Sequence, residues 1–145
     1  MARVTAGGTI YLRGGTYASS STITLSKSGS SGSRINLRAY PLDAARPLVD
    51  FSTQATGSRG VSVSGSYWHV HGIDFFSAGD NGMFISGSNN TIEFSTFSEC
   101  EDSGLQLGNG AANNLVLNCD SYFNADASLE NADGFAAKLD VGSGN

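Results

Sequence analysis

Three aspartates precede glycine in the second half of this 145-residue chain, in Asp80-Asn81-Gly82, Asp102-Ser103-Gly104 and Asp133-Gly134. Each stands just ahead of a short apolar run. A carboxylate at such a turn bonds its own backbone as ordinary turn chemistry. Repeated at one corner of a stacked fold, it also lines up with its copies. Copies two strand spacings apart would stand roughly 9.6 Å from each other, near the upper limit for the acid and base of an inverting glycosidase. Carboxylates also suit calcium, a hard cation that takes about 6–8 oxygen ligands.

The charge distribution favours the cation reading. Residues 1–73 carry seven basic side chains against Asp43 and Asp50, whereas residues 74–145 carry eleven acidic side chains against Lys138 alone. The net charge is −5. An acidic half repels phosphates, so no nucleic-acid partner is expected. His69 and His71 alternate on one predicted strand and share a face, but no third ligand accompanies them, which favours packing over zinc. Cys100 and Cys119 fall at non-equivalent positions and read as free thiols. No P-loop, zinc signature, dinucleotide fingerprint or nucleophile elbow occurs.

The elements that must position these residues show in the spacing. Gly60, Gly82 and Gly104 recur every 22 residues, and Gly134 follows after 30. Each opens a run in alternation: Val61-Ser62-Val63, Met83-Phe84-Ile85, Leu105-Gln106-Leu107 and Phe135-Ala136-Ala137. The longer last interval implies a loop inserted around residues 126–130. Each period holds two more short runs, beginning near Tyr67, Asn90 and Asn114, and near Ile73, Ser95 and Cys119. Three strands per period of about 22 residues is the repeat of a parallel β-helix. Val61, Met83, Leu105 and Phe135 should form one inward column, and Val63, Ile85, Leu107 and Ala137 its neighbour. Ser62, Phe84, Gln106 and Ala136 should face outward. Asn90 and Asn114 fall at similar turns and suit a stacked ladder. In the first third, the runs at 8–12, 22–25 and 34–40 are expected to be the three strands of an early coil, with an irregular connection from Pro41 to Pro47. The chain thus reads as all-β, one parallel β-helix (solenoid) domain over residues 1–145, of about five or six coils.

Composition agrees. Charged residues make up 14% of the chain, against about 25% in ordinary globular proteins, and helix-forming stretches are scarce. Apolar runs are shorter than the roughly 20 residues that cross a bilayer, so no membrane partner is expected. Met1-Ala2-Arg3-Val4-Thr5 lacks the apolar core of a signal peptide.

Several segments together resemble the pectate lyases of polysaccharide lyase family nine: Gly7-Gly8-Thr9-Ile10-Tyr11-Leu12-Arg13-Gly14-Gly15-Thr16-Tyr17, Arg38-Ala39-Tyr40-Pro41, Asp80-Asn81-Gly82-Met83-Phe84-Ile85, Gly104-Leu105-Gln106-Leu107 and Asn131-Ala132-Asp133-Gly134-Phe135-Ala136. The stretch from Asn131 to Lys138 is the most specific. The resemblance implies a right-handed parallel β-helix, part of a longer solenoid, in a secreted enzyme acting on an acidic polysaccharide, polygalacturonate. In such enzymes a Ca2+ ion held by aspartates grips the uronate and a lysine removes the C5 proton. It makes Asp133 the first calcium aspartate, with the remaining aspartates and the lysine base expected beyond residue 145. Lys138 follows Asp133 too soon to be that base and is a candidate substrate-binding residue. The chain alone is therefore expected to be inactive and to self-associate through its open C-terminal coil. A non-catalytic glycan-binding or adhesin-type β-helix is the alternative, and a β-helical glycoside hydrolase is a third reading that rests on the aspartate column.

Overall fold

Apolar and polar residues alternate in runs of three to five residues, too short to build a sheet with sequence neighbours. Each run must pair with its counterpart one coil away. The computed structural model, which describes residues 3–125 and 132–145, shows the outcome. Three parallel five-stranded sheets run along one solenoid. Sheet A stacks β1 (Thr9–Leu12), β4 (Ile35–Ala39), β7 (Trp68–His71), β10 (Thr91–Glu93) and β13 (Leu115–Leu117). Sheet B stacks β2 (Gly15–Ala18), β5 (Pro47–Asp50), β8 (Asp74–Phe76), β11 (Thr96–Ser98) and β14 (Asp120–Tyr122). Sheet C stacks β3 (Ile23–Leu25), β6 (Val61–Val63), β9 (Met83–Ile85), β12 (Leu105–Leu107) and β15 (Phe135–Ala137). The fold is a right-handed parallel β-helix of five coils.

The predicted columns are in register. Ile23, Val61, Met83, Leu105 and Phe135 align, as do Leu25, Val63, Ile85, Leu107 and Ala137. Sheets A and B add Leu37, Val70 and Ile92, and Val49, Phe75 and Phe97, to the same core. The Phe75 and Phe97 rings stack with centroids 5.3 Å apart. The file of Gly60, Gly82, Gly104 and Gly134 is also as predicted: the amides of Val61, Met83 and Leu105 bond to the carbonyls of Gly82, Gly104 and Gly134. A Cβ on Gly82 would lie 2.6 Å from the Gly104 carbonyl oxygen. The close approach of successive coils therefore demands glycine here.

Between the sheets the chain turns through left-handed corners that stack on one another. Tyr67, Asn89 and Asn113 share one corner, Gly72, Phe94 and Asn118 a second, and Ser77, Glu99 and Phe123 a third, all with positive φ. Glycine and asparagine enter this conformation readily, whereas other residues lose about 1–2 kcal/mol. Tyr67, Phe94 and Phe123 are the bulky exceptions, and the Phe94 and Phe123 rings are exposed.

The asparagine ladder also forms, and it is longer than its two predicted members. The Asn90 side-chain oxygen accepts from the Trp68 amide at 2.8 Å, that of Asn114 from the Asn90 amide at 2.9 Å, and that of Asn145 from the Asn114 amide at 3.0 Å. The Asn90 and Asn114 amide groups donate to the carbonyls of Gly65 and Gly87. Each rung thus joins a side chain to the backbone one coil earlier.

The first coils depart from expectation. Ile35–Ala39 pairs with Thr9–Leu12 and opens the second coil. The strand that belongs between Thr9–Leu12 and Ile23–Leu25 is Gly15–Ala18, whose residues are all exposed and give no alternating signal. Its partner starts at Pro47, inside the segment expected to be irregular. Proline fits as the first residue of a strand, where its missing N–H matters least. The loop expected around residues 126–130 lies outside the described residues.

Candidate active-site rim

The turns entering sheet C carry the acidic residues, and sheet register places them. Asp80 and Asp102 are equivalent, and the Asp102 amide approaches the Asp80 carbonyl at 3.4 Å. Asp133 is one residue out of that file. Its carbonyl accepts from Gly104, as that of Ser103 accepts from Gly82 and that of Asn81 from Gly60. Asp133 therefore aligns with Asn81 and Ser103, which corrects the expectation of a single column of three aspartates. With one member displaced, the spacing argument for a hydrolase pair loses its basis.

The two equivalent aspartates are tied down. Arg59 Nε lies 3.5 Å from Asp80, and its guanidinium sits 3.6 Å over the centre of the Phe84 ring. Asn81 donates to the Asp102 carboxylate at 2.9 Å and to the Gln106 side-chain oxygen at 3.3 Å. Burial pushes the Asp80 carboxyl above the usual carboxylate range, and the nearby Asp102 charge pushes the same way, against the Asn81 amide and Arg59. Phe84 and Gln106 face outward from sheet C as predicted, yet each is only 2% exposed. The Arg59, Asn81 and carboxylate network covers them. Arg59 and Asn81 were not readable as site residues. The sequence signal was indirect: a phenylalanine on a face where the period calls for a polar residue.

Asp133 is different. Its side chain is 52% exposed, and among the described ion pairs it meets Lys138, at 3.2 Å. Asp133 lies ahead of β15 and Lys138 follows it, so one three-residue strand sets their separation. The backbone amide of Lys138 bonds to the Leu107 carbonyl at 3.0 Å, which anchors the lysine's end of the strand. The two predicted site residues are thus brought together at a solvent-open rim of sheet C.

These residues do not by themselves make a calcium site. Among the described residues no group of three or more His, Cys, Asp or Glu side chains is placed to hold a metal ion. Of the three turn aspartates the open one, Asp133, carries an ammonium group beside it, whereas calcium needs about 6–8 oxygens. His69 spends both ring nitrogens on protein partners, Glu93 at 3.0 Å and Arg38 at 2.8 Å. Its pairing with His71 is a ring contact with centroids 5.8 Å apart. Cys100 and Cys119 are free thiols. Burial pushes Cys100 up to about 11 and also raises Cys119, so neither is a poised nucleophile.

Comparison with known proteins agrees with this architecture. The family model described as Pel9A-like, right handed beta helix region, matches residues 1–145. Pectate lyase L of Paenibacillus polymyxa (strain SC2) is 49% identical, in a match that covers 100% of this chain and 35% of that protein. Pectate lyase L of Dickeya chrysanthemi is 37% identical, covering 100% of this chain and 36% of that protein. The chain thus spans about a third of the length of these relatives. The crystal structure of pectate lyase Pel9A superposes with a TM-score of 0.92 at 36% identity, covering 99% of this chain and 38% of that one. A rhamnogalacturonan lyase shares the fold, with a TM-score of 0.56 at 17% identity over 97% of this chain and 56% of that chain. In sequence and in three dimensions, the chain belongs to the Pel9A-like right-handed β-helix family.

Proposed function

We propose that this β-helix forms part of a secreted, calcium-dependent pectate lyase acting on polygalacturonate, and that Asp133 and Lys138 are its contribution to the substrate rim. The observation that carries the proposal is the open Asp133–Lys138 pair, on a chain matched along its whole length by pectate lyases. β-Elimination removes the weakly acidic proton beside the uronate carboxylate and expels the oxygen at the next carbon. A bound cation supplies the charge neutralisation that the step requires.

This chain's residues bind and orient. Asp133 offers one carboxylate oxygen toward the cation. Lys138, an ammonium with three donors, meets a uronate carboxylate. The Asp80, Asp102 and Arg59 network is tied into the scaffold and holds the sheet C turns in register. The remaining ligands and the base lie outside the described residues, and the isolated chain does not turn over substrate.

Titration of the full-length enzyme with trigalacturonate, with calcium present or chelated, tests this. Calcium-dependent binding should weaken about tenfold in Asp133→Asn, the scale of one charge-assisted contact. Calcium-dependent binding unchanged by that substitution would overturn the role of Asp133. In the full-length enzyme, calcium-dependent binding without elimination would favour a glycan-binding module, and new reducing ends without unsaturated product would favour a hydrolase.

A further inference from the structure

At the corner between sheets A and B, away from the sheet C rim, a cavity of about 450 Å³ opens among Tyr11, Arg38, Tyr40, Arg46, His71 and Phe94. Its volume lies within the roughly 300–1,000 Å³ range of small-molecule sites. Three of its features bear on what it could bind. First, its walls are aromatic and open: Tyr11 is 52% and Phe94 45% exposed. The Tyr11 and Tyr40 rings meet edge to face at 5.9 Å, and Phe94 meets His71 at 5.3 Å.

Second, Phe94 holds φ at 50°, in the corner position that Gly72 and Asn118 occupy in the coils before and after it. A bulky side chain is the wrong choice for that backbone, and the exposed ring leaves much of its surface unpacked. Strain of this kind collects where a side chain has work outside the core.

Third, the cavity holds a cation without a counter-ion. Asp43 is clamped by Arg13 at 2.7 and 2.8 Å and by the Gly14 amide at 2.7 Å. Arg46 pairs with Asp74 at 2.7 Å and donates to the Phe94 carbonyl, which braces the strained corner. Glu93 is occupied by His69. Arg38 lines the cavity and bonds to the imidazole of His69 at 2.8 Å. Among the described residues no carboxylate lies within ion-pair distance of Arg38. A half-buried guanidinium in this state is costly until an anion arrives.

We infer that this cavity is a second saccharide-binding subsite that takes an acidic sugar, with the uronate carboxylate on Arg38 and the sugar ring against Tyr11 and Phe94. The choice of a uronate rests on the polygalacturonate reading above. The site itself needs no metal, because the guanidinium supplies the charge. It would hold a polymer strand on the face of the solenoid away from the Asp133 rim.

The test is titration of the 145-residue chain with trigalacturonate under calcium chelation, with a neutral trisaccharide as control. Wild type should bind trigalacturonate in preference to the neutral sugar. Arg38→Gln should weaken binding about tenfold. Phe94→Asn places the residue of Asn118 in the same backbone corner, should fold at least as well, and should weaken binding about fivefold. Undiminished binding in both Arg38→Gln and Phe94→Asn, equal binding of the neutral sugar, or no metal-free binding at all would overturn the inference. Calcium-dependent binding that responds to Asp133→Asn would survive any of these results, so the two proposals fail separately.

Discussion

Asp80 and Asp133 occupy adjacent registers of one corner, and their surroundings give them opposite tasks. Asp133 is open to solvent and carries its charge beside Lys138. Asp80 is drawn under Arg59, and burial raises its pKa from the ordinary value of 3.8. The folded chain therefore binds this proton more tightly than the unfolded chain does. The stability it contributes is fully present below pH 3.8 and is lost as pH rises through the raised folded value. Asp80→Asn removes the charge that burial penalises. The variant should be more stable than wild type at pH 7, and the gain should vanish toward pH 3. Urea unfolding at the two pH values checks this, and a loss of stability at pH 7 would show that the Arg59 contact outweighs the burial cost. The residue scale was also where the sequence misled. Three Asp-containing turns looked equivalent, but Asp102 and Asp133 stand at different distances from their glycines, and a one-residue offset moves a side chain into another file.

Among the elements, the sheet C strands and the glycines that open them set the spacing of the coils. A Cβ on Gly82 would meet the Gly104 carbonyl at 2.6 Å and Cys100 Sγ at 2.8 Å, whereas one on Gly134 would meet nothing nearer than 3.5 Å. Gly82→Ala should therefore cost about 2 kcal/mol or more. Gly134→Ala should stay within about 0.5 kcal/mol. Equal costs in denaturant unfolding would mean that the file is not what spaces the coils. This file was legible from sequence because steric demand repeats at a fixed interval and leaves one residue type acceptable. Asn90 and Asn114 were legible for the same reason. Gly15–Ala18 was not, because an exposed strand carries no alternation. Nor was the cover over Phe84 and Gln106, because Arg59 and Asn81 reach them from other turns. The third strands begin at Asp74, Thr96 and Asp120, after Ile73, Ser95 and Cys119, which follow the left-handed corners at Gly72, Phe94 and Asn118. Lys138 and Asp133 could be paired in advance only through a family resemblance, since their spacing alone suits any short strand.

Over the whole molecule, the solenoid is a stack in which each coil is stabilised chiefly by its neighbours. Sheets A, B and C end at β13, β14 and β15, where Leu115, Leu117, Tyr122 and Phe135 are exposed. Unpaired strand edges beside apolar side chains invite pairing with a second copy. The 145-residue chain in isolation should therefore self-associate as concentration rises, which light scattering with size-exclusion chromatography would detect. A monomer at all concentrations would show that the edge is protected. The stack also divides the functional work. The rim of sheet C carries the Asp133–Lys138 pair in register, and among the described residues no group of three or more His, Cys, Asp or Glu side chains is placed to hold a metal ion. The most direct measurement is the ultraviolet absorbance of unsaturated uronides when this chain is mixed with polygalacturonate and calcium. No increase above the protein-free control is expected. A calcium-dependent increase that disappears in Asp133→Asn would contradict this expectation, because it would place a complete elimination site within these 145 residues.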